Sequence, residues 1–194
     1  MSTEIDLDSS KLTATDKFYL DGGFGYDPKW AKSFIEERTS LANGSGRLLD
    51  LACGDGFWAF ILAEWFDVTG EDLSPGGIFM ARKKAREENL PVSFELIDSL
   101  ETSDQYDVVF ARGPSFWSNR SPDDDDFARG LDRVFQRVKE KLVYITYTDE
   151  PFGRHNEGQS SYYHDPEVLR SRFSAYGATT VELKDKYIVC EVEP

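Results

Sequence analysis

The residues whose types and spacing could do chemistry are two glycines and the acids around them. Leu48-Leu49-Asp50-Leu51-Ala52-Cys53-Gly54-Asp55-Gly56 reads as a buried strand entering a tight turn, after which Trp58, Ala59, Ile61, Leu62, Trp65 and Phe66 recur at helical spacing. Gly54 and Gly56 let the backbone bend sharply and leave no Cβ between the chain and a ligand lying on it. Open α/β sheets bind ligands in this place, beyond the carboxyl end of a strand. The pyrophosphate pattern G-x-G-x-x-G is absent, because Ala59 stands where its third glycine would be, and no Walker lysine follows. Roughly twenty residues on, an acid closes a second strand, Val68-Thr69-Gly70-Glu71-Asp72, placed to accept hydrogen bonds from both hydroxyls of a ribose. Ser74 and Pro75 then read as the cap and first residue of a helix running to about Asn89.

Other chemistry-bearing residues lie toward the carboxyl end. His155 and His164, the only histidines, fall in a long connection from Asp149 to Asp165 that also holds Tyr162 and Tyr163. They are candidate general bases, with Tyr147 and Asp149 next, should an acceptor need a proton removed; a thiol, phenol or carboxylate that ionises unaided needs none. A structural role for a histidine in such a loop stands beside that reading. Phe116 and Trp117 either line a pocket for a flat or apolar small molecule or belong to the core. The run Asp123 to Asp126 resembles a metal cluster, but with Ser121 and Pro122 before it a helix start extending to about Lys139 explains it better, and no metal is expected. Cys53 and Cys190 are expected as reduced, buried thiols.

The remaining elements follow in order. A glycine-aromatic loop, Lys17 to Trp30, leads into a helix from about Pro28 to Leu41. Strands are expected at Val92 to Ile97, Tyr106 to Phe110, Lys141 to Thr148, Ala178 to Lys184 and Lys186 to Glu193, with a helix from about Pro166 to Tyr176. The last two strands form an antiparallel hairpin. Between the third and fourth strands the link Leu100 to Gln105 leaves room for little more than one helical turn.

The segment Asp50-Leu-Ala-Cys-Gly54-Asp-Gly56 resembles motif I of the class I S-adenosylmethionine-dependent methyltransferases. Gly70-Glu-Asp72-Leu-Ser74, Ile97-Asp98-Ser99 and Tyr106 to Pro114 match that family's later motifs in order. The resemblance implies a three-layer α/β/α sandwich, a Rossmann-like and mostly parallel seven-stranded sheet of order 3-2-1-4-5-7-6 with an antiparallel C-terminal hairpin. It implies S-adenosyl-L-methionine as cofactor, with S-adenosyl-L-homocysteine as product. The donor contacts it implies are Asp50, Ala52, Cys53, Gly54, Gly56, Trp58, Asp72 on the ribose, Leu73 against the adenine, Asp98 on the adenine amine, Ser99, Arg112 and Tyr19. Aromatic faces at Tyr19, Tyr26 and Trp58 suit a sulfonium cation. In the family the segment before motif I often folds over the cofactor and acceptor, so Tyr19, Tyr26 and Trp30 are lid candidates; covering the sheet edge is their plainer role. Acceptor contacts fall to Tyr26, Phe116, Trp117, Tyr162 and Tyr163. Gly113-Pro114-Ser115-Phe116 lacks the amide oxygen that base methyltransferases of the family carry there.

Composition bounds the rest. Thirty-six acidic against 22 basic side chains leave a net charge of −14, which repels polyanions and argues against a nucleic-acid partner. The 194 residues suit a single domain, with 1–11 a flexible tail, 12–45 an N-terminal lid and helix, and 46–194 the core. The start of the chain lacks a signal-peptide pattern and no run suits a bilayer, so cytoplasmic residence without membrane contact is expected, as a monomer or homodimer. The overall expectation is methyl transfer to a small molecule. Aminopropyl transfer from decarboxylated S-adenosylmethionine and a non-catalytic cofactor-binding module serving a protein partner are the alternatives.

Overall fold

The computed structural model describes residues 5, 7–23, 25–113, 124–148 and 163–194. The strands β1 (Arg47–Leu51), β2 (Asp67–Asp72), β3 (Ser93–Leu96), β4 (Tyr106–Arg112), β5 (Val138–Thr148), β6 (Tyr163–His164), β7 (Ala178–Lys184) and β8 (Tyr187–Glu193) form one sheet. Its order is β3-β2-β1-β4-β5-β8-β7, with the two-residue β6 added to the end of β5. Counted without β6, this is the expected order. β1, β2 and β3 are parallel, as are β4 and β5, whereas β8 runs antiparallel to β5 and β7. The chain divides into two compact units, 1–99 and 100–194. Among the described residues no helix is long and apolar enough to cross a membrane.

In the first unit β1 is buried from Leu48 to Leu51, the near-continuous apolar run of a parallel strand covered on both faces. Helices α2 (Pro28–Arg38), α3 (Phe57–Leu62) and α4 (Pro75–Glu87) surround β1, β2 and β3, burying Ile35, Ile61, Leu62, Ile78 and Ala81. Asp27 and Ser74 cap α2 and α4 through their side-chain oxygens, each with proline at the first helical position. α2 stops at Arg38, short of the expected Leu41, because Thr39 is extended and its hydroxyl donates back to the Ile35 carbonyl at 2.8 Å; a 3-10 turn then covers Leu41–Asn43.

The stretch expected as loop before α2 begins instead with a helix, α1 (Ala14–Leu20). Thr13 and Asp16 form a capping box. Asp16 Oδ2 accepts from Thr13 N at 2.8 Å and Thr13 Oγ1 at 2.7 Å, while its other oxygen reaches the start of α4, accepting from Ser74 Oγ at 2.5 Å and Gly76 N at 3.1 Å. A Cβ on Gly76 would lie 2.6 Å from the Asp16 carbonyl oxygen, so only glycine lets α1 pack this closely.

In the second unit α5 (Asp124–Phe135) ends before the expected Lys139, which lies in β5. Tyr106 pairs with Val138 and its N–H donates to the Arg137 carbonyl at 2.9 Å, so strand pairing claims these residues from the helix. Arg137 is fully buried, with Nε donating to the Asp104 carbonyl at 3.0 Å and its guanidinium 5.4 Å from the Tyr106 ring. α6 (Pro166–Phe173) also stops short of Tyr176. The link from Leu100 to Gln105, which had room for little more than one helical turn, contains no helix. Asp185, at φ 59°, turns the β7–β8 hairpin.

Asp16 is 1% exposed. Burial pushes its carboxyl pKa up, but the bonds from Ser74, Thr13 and Gly76 outweigh that and hold it at about 2, below the ordinary 3.8. A depressed carboxyl stabilises the fold above pH 4 and loses that contribution as pH falls toward 2, a total of about 2 kcal/mol. Asp16→Asn is therefore expected to be less stable than the parent at neutral pH and to flatten the pH dependence of urea-unfolding midpoints between pH 4 and 2.

Candidate functional site

The turn after β1 is built from left-handed backbone. Ala52 has φ 58°, Gly54 57° and Gly56 78°, and for Ala52 such a conformation costs about 1–2 kcal/mol. A non-glycine residue held there by its surroundings is the kind of strain that collects at binding sites. Cys53 N donates to the Glu71 carbonyl and Gly56 N to the Cys53 carbonyl, both at 3.0 Å, tying the turn to β2 and to itself.

Asp72 organises the site. Its Oδ2 accepts from Gly54 N at 2.8 Å and its Oδ1 from Ser74 N at 2.7 Å, so one carboxylate joins the turn after β1 to the cap of α4. Burial raises its pKa; the amide bonds from Ser74 and Gly54 oppose this, and Asp16 nearby adds repulsion. Asp55 is raised too, by burial first and in part by Asp72. Asp50 is 2% exposed and raised well above the ordinary carboxylate range, by burial and then by Asp72 and Asp55, against one N–H bond from Ala59. Its Oδ2 is buried and has no hydrogen-bond partner among the described residues. These mutually repelling carboxylates at one turn suit a cationic ligand that brings hydrogen-bond donors.

Tyr19 lies on the turn. A Cβ on Gly54 would fall 2.5 Å from its hydroxyl oxygen and 2.6 Å from Cζ, and one on Gly77 would fall 3.1 Å from its Cδ2. At Gly56, Phe94 Cζ and Ala81 Cβ lie 2.6 and 3.1 Å from where a Cβ would be, so the packing of β3 and α4 also requires glycine there. Leu73, beside Asp72, is 66% exposed, an apolar face where the adenine was expected. Asp98 and Ser99 follow β3, whose last residue Leu96 pairs with Asp72, so the two acids lie at the carboxyl ends of neighbouring strands. Cys53 is buried with its thiol pKa pushed well up by burial and the Asp50, Asp72 and Asp55 charges, which keeps it protonated.

Two of the expected contact residues join an aromatic cluster. Trp58, 6% exposed, stands 5.4 Å from Phe57, 6.1 Å from Trp30, 6.3 Å from Phe34 and 6.4 Å from Tyr26 between ring centroids. Tyr26 stands 5.3 Å from Phe57. This aromatic cluster seats α2 on α3.

In the second unit, at the ends of β4 and β5, Arg112 Nη2 donates to the Tyr147 hydroxyl, with the guanidinium 5.4 Å from that ring and Lys186 Nζ 5.9 Å from it. β6 sets the backbones of Tyr163 and His164 beside Tyr147 and Thr148. His155, Asp149, Phe116, Trp117 and Tyr162 lie outside the described residues. Functional residues that sequence reasoning missed are Asp16, whose Thr13-x-x-Asp16 capping pattern was legible, and Gly76 and Gly77, whose need for close approach was not.

Residues 48–140 match a family model described as a methyltransferase domain. The fold is that of the class I S-adenosylmethionine-dependent methyltransferases. The chain is 24% identical over 159 residues to a malonyl-(acyl-carrier protein) O-methyltransferase of Priestia megaterium, a match covering 79% of this chain and 55% of that protein. It is 33% identical over 119 residues to an uncharacterized methyltransferase of Schizosaccharomyces pombe, covering 60% and 45%. The chain thus spans about half the length of these curated relatives. A solved DhpI–SAM–HEP complex shares the fold at a TM-score of 0.72 and 22% identity, with 100% of both chains covered.

Charging Asp50 carries a thermodynamic cost, because burial first and the nearby Asp72 and Asp55 after it oppose the ionised form. A carboxyl raised by folding adds stability below its unfolded value and loses it as pH climbs through the folded one. Asp50→Asn is accordingly expected to raise the melting temperature at pH 7, by about 2–4 °C for each kcal/mol recovered, and to show no such gain at acidic pH. Differential scanning calorimetry at both pH values checks this.

Proposed function

We propose that this methyltransferase domain binds S-adenosyl-L-methionine and passes its methyl group to a small-molecule acceptor by direct in-line displacement, releasing S-adenosyl-L-homocysteine. What supports this is the turn at Gly54, where Asp72 holds the backbone and the buried Asp50 oxygen has no described partner. The DhpI complex names SAM as its ligand on the same fold. When bound, the cofactor supplies a methyl group already activated by a sulfonium, so the protein's work is orientation and the exclusion of water.

Asp72 takes the ribose hydroxyls, Leu73 flanks the adenine, and Asp98 receives the adenine amine. Asp50 and Asp55 give the turn the negative field a sulfonium and an ammonium need. Acceptor binding falls to the ends of β4 and β5, where Arg112 and Tyr147 form a polar pair. His164 and Tyr163 are placed beside that pair's strand by β6 and are the proposed positioning residues there. The net charge of −14 favours a small acceptor over a nucleic acid.

Isothermal calorimetry with S-adenosylmethionine and S-adenosylhomocysteine tests the donor site. Asp72→Ala is expected to weaken binding by about 1–3 kcal/mol, the range for stranding polar groups without a charged partner. Unchanged binding would refute the assignment. Incubation with methyl-labelled cofactor and a metabolite extract tests transfer, since a pure binder moves no label.

A further inference from the structure

Asp16 belongs to none of the motifs above, yet it is the buried carboxylate through which α1 is attached to the rest of the first unit. Both oxygens are used. One closes the capping box of α1 with Thr13, and the other accepts from Ser74 Oγ and Gly76 N at the first turn of α4. Ser74 is also the residue whose N–H donates to Asp72, and its Oγ accepts from Gly77 N at 3.0 Å. The first turn of α4 is thus gripped by two carboxylates, Asp72 from the donor side and Asp16 from α1.

Three residues after Asp16, on the same face of a helix, comes Tyr19. Its ring runs from Gly77 to Gly54, with the hydroxyl end over Gly54. The glycines that permit this are consecutive: Gly76 admits the Asp16 backbone and Gly77 admits both the Gly54 carbonyl, 2.8 Å from where its Cβ would be, and the Tyr19 ring. Placement of Tyr19 on the turn therefore depends on the seat that Asp16 and Gly76 give α1.

We propose that Asp16 is a positioning residue for the donor: by fixing α1 to the first turn of α4 it holds Tyr19 as a wall of the donor site, and so sets how long S-adenosylmethionine stays bound. This deepens, and rests on, the reading of the Gly54 turn as the donor site. Asp16 touches no ligand itself; it acts through Tyr19.

The test is the dissociation rate of labelled S-adenosylmethionine from the full chain, chased with unlabelled cofactor, in Asp16→Ala, Tyr19→Ala and the double variant. Asp16→Ala is expected to release donor faster by roughly tenfold, the scale of losing a buried charged hydrogen-bond set. Tyr19→Ala should act similarly, and adding Asp16→Ala to it should change the rate less than about twofold, the non-additivity of residues that work as one unit. Should Asp16→Ala fold poorly, Gly76→Ala replaces it: alanine favours helix α4 while its Cβ displaces α1, and the same faster release is expected. Unchanged release in Asp16→Ala and Gly76→Ala, or additive effects in the double variant, would overturn the proposal while leaving the donor site standing. Failure of the parent chain to bind S-adenosylmethionine at all would remove the donor reading and the proposal together.

Discussion

One carboxylate at the end of β2 ties the turn after β1 to the start of α4. Asp72 takes the Gly54 amide with one oxygen and the Ser74 amide with the other, so the turn after β1 and the start of α4 share a single hinge point. The parallel register that pairs Asp50 with Gly70 and Leu51 with Glu71 brings these two turns to the same height. Close to that tie are Asp50 and Asp55, whose carboxyls feel the Asp72 charge, the Tyr19 ring against Gly54, and the exposed Leu73 next in the chain.

The arrangement sacrifices stability at the turn. Three carboxylates with raised pKa values surround one loop, Ala52 holds a left-handed conformation, and one Asp50 oxygen is buried with no described partner. In a core serving only to fold, each feature would be a defect worth removing. Such features collect at ligand sites, and a cationic, hydrogen-bond-donating ligand is the kind that would relieve this repulsion. Asp16 contrasts with Asp50: it is as deeply buried but has hydrogen-bond donors at both oxygens, and its pKa falls.

Much of this was legible in the sequence because it is local. The buried strand, the glycine turn and the capping of α4 by Ser74-Pro75 follow from periodicity and from residues within a few positions of each other. The strand order followed from resemblance, and the structure has it. What escaped depends on tertiary contact. α1 is a short helix ahead of the glycines at 22 and 23, which drew the stretch toward loop, although its capping box was present. That the space at Gly56 goes to Phe94 needs the packing of β3 to be known, as does the loss of Lys139 from α5 to β5 through the pairing of Tyr106 with Val138. Trp58 and Tyr26, read toward the donor for their aromatic faces, also stand within one aromatic cluster with Trp30, a contact that needs tertiary structure to be seen.

The claim that the Gly54 turn and its carboxylates hold an adenosyl donor is tested most directly by a crystal structure of the chain with S-adenosylhomocysteine. The account predicts the ribose hydroxyls on Asp72, the adenine against Leu73 with its amine at Asp98, and the amino acid end over Gly54 beside Tyr19. Ligand bound elsewhere, or Asp72 and Asp98 making no contact with it, would contradict the account.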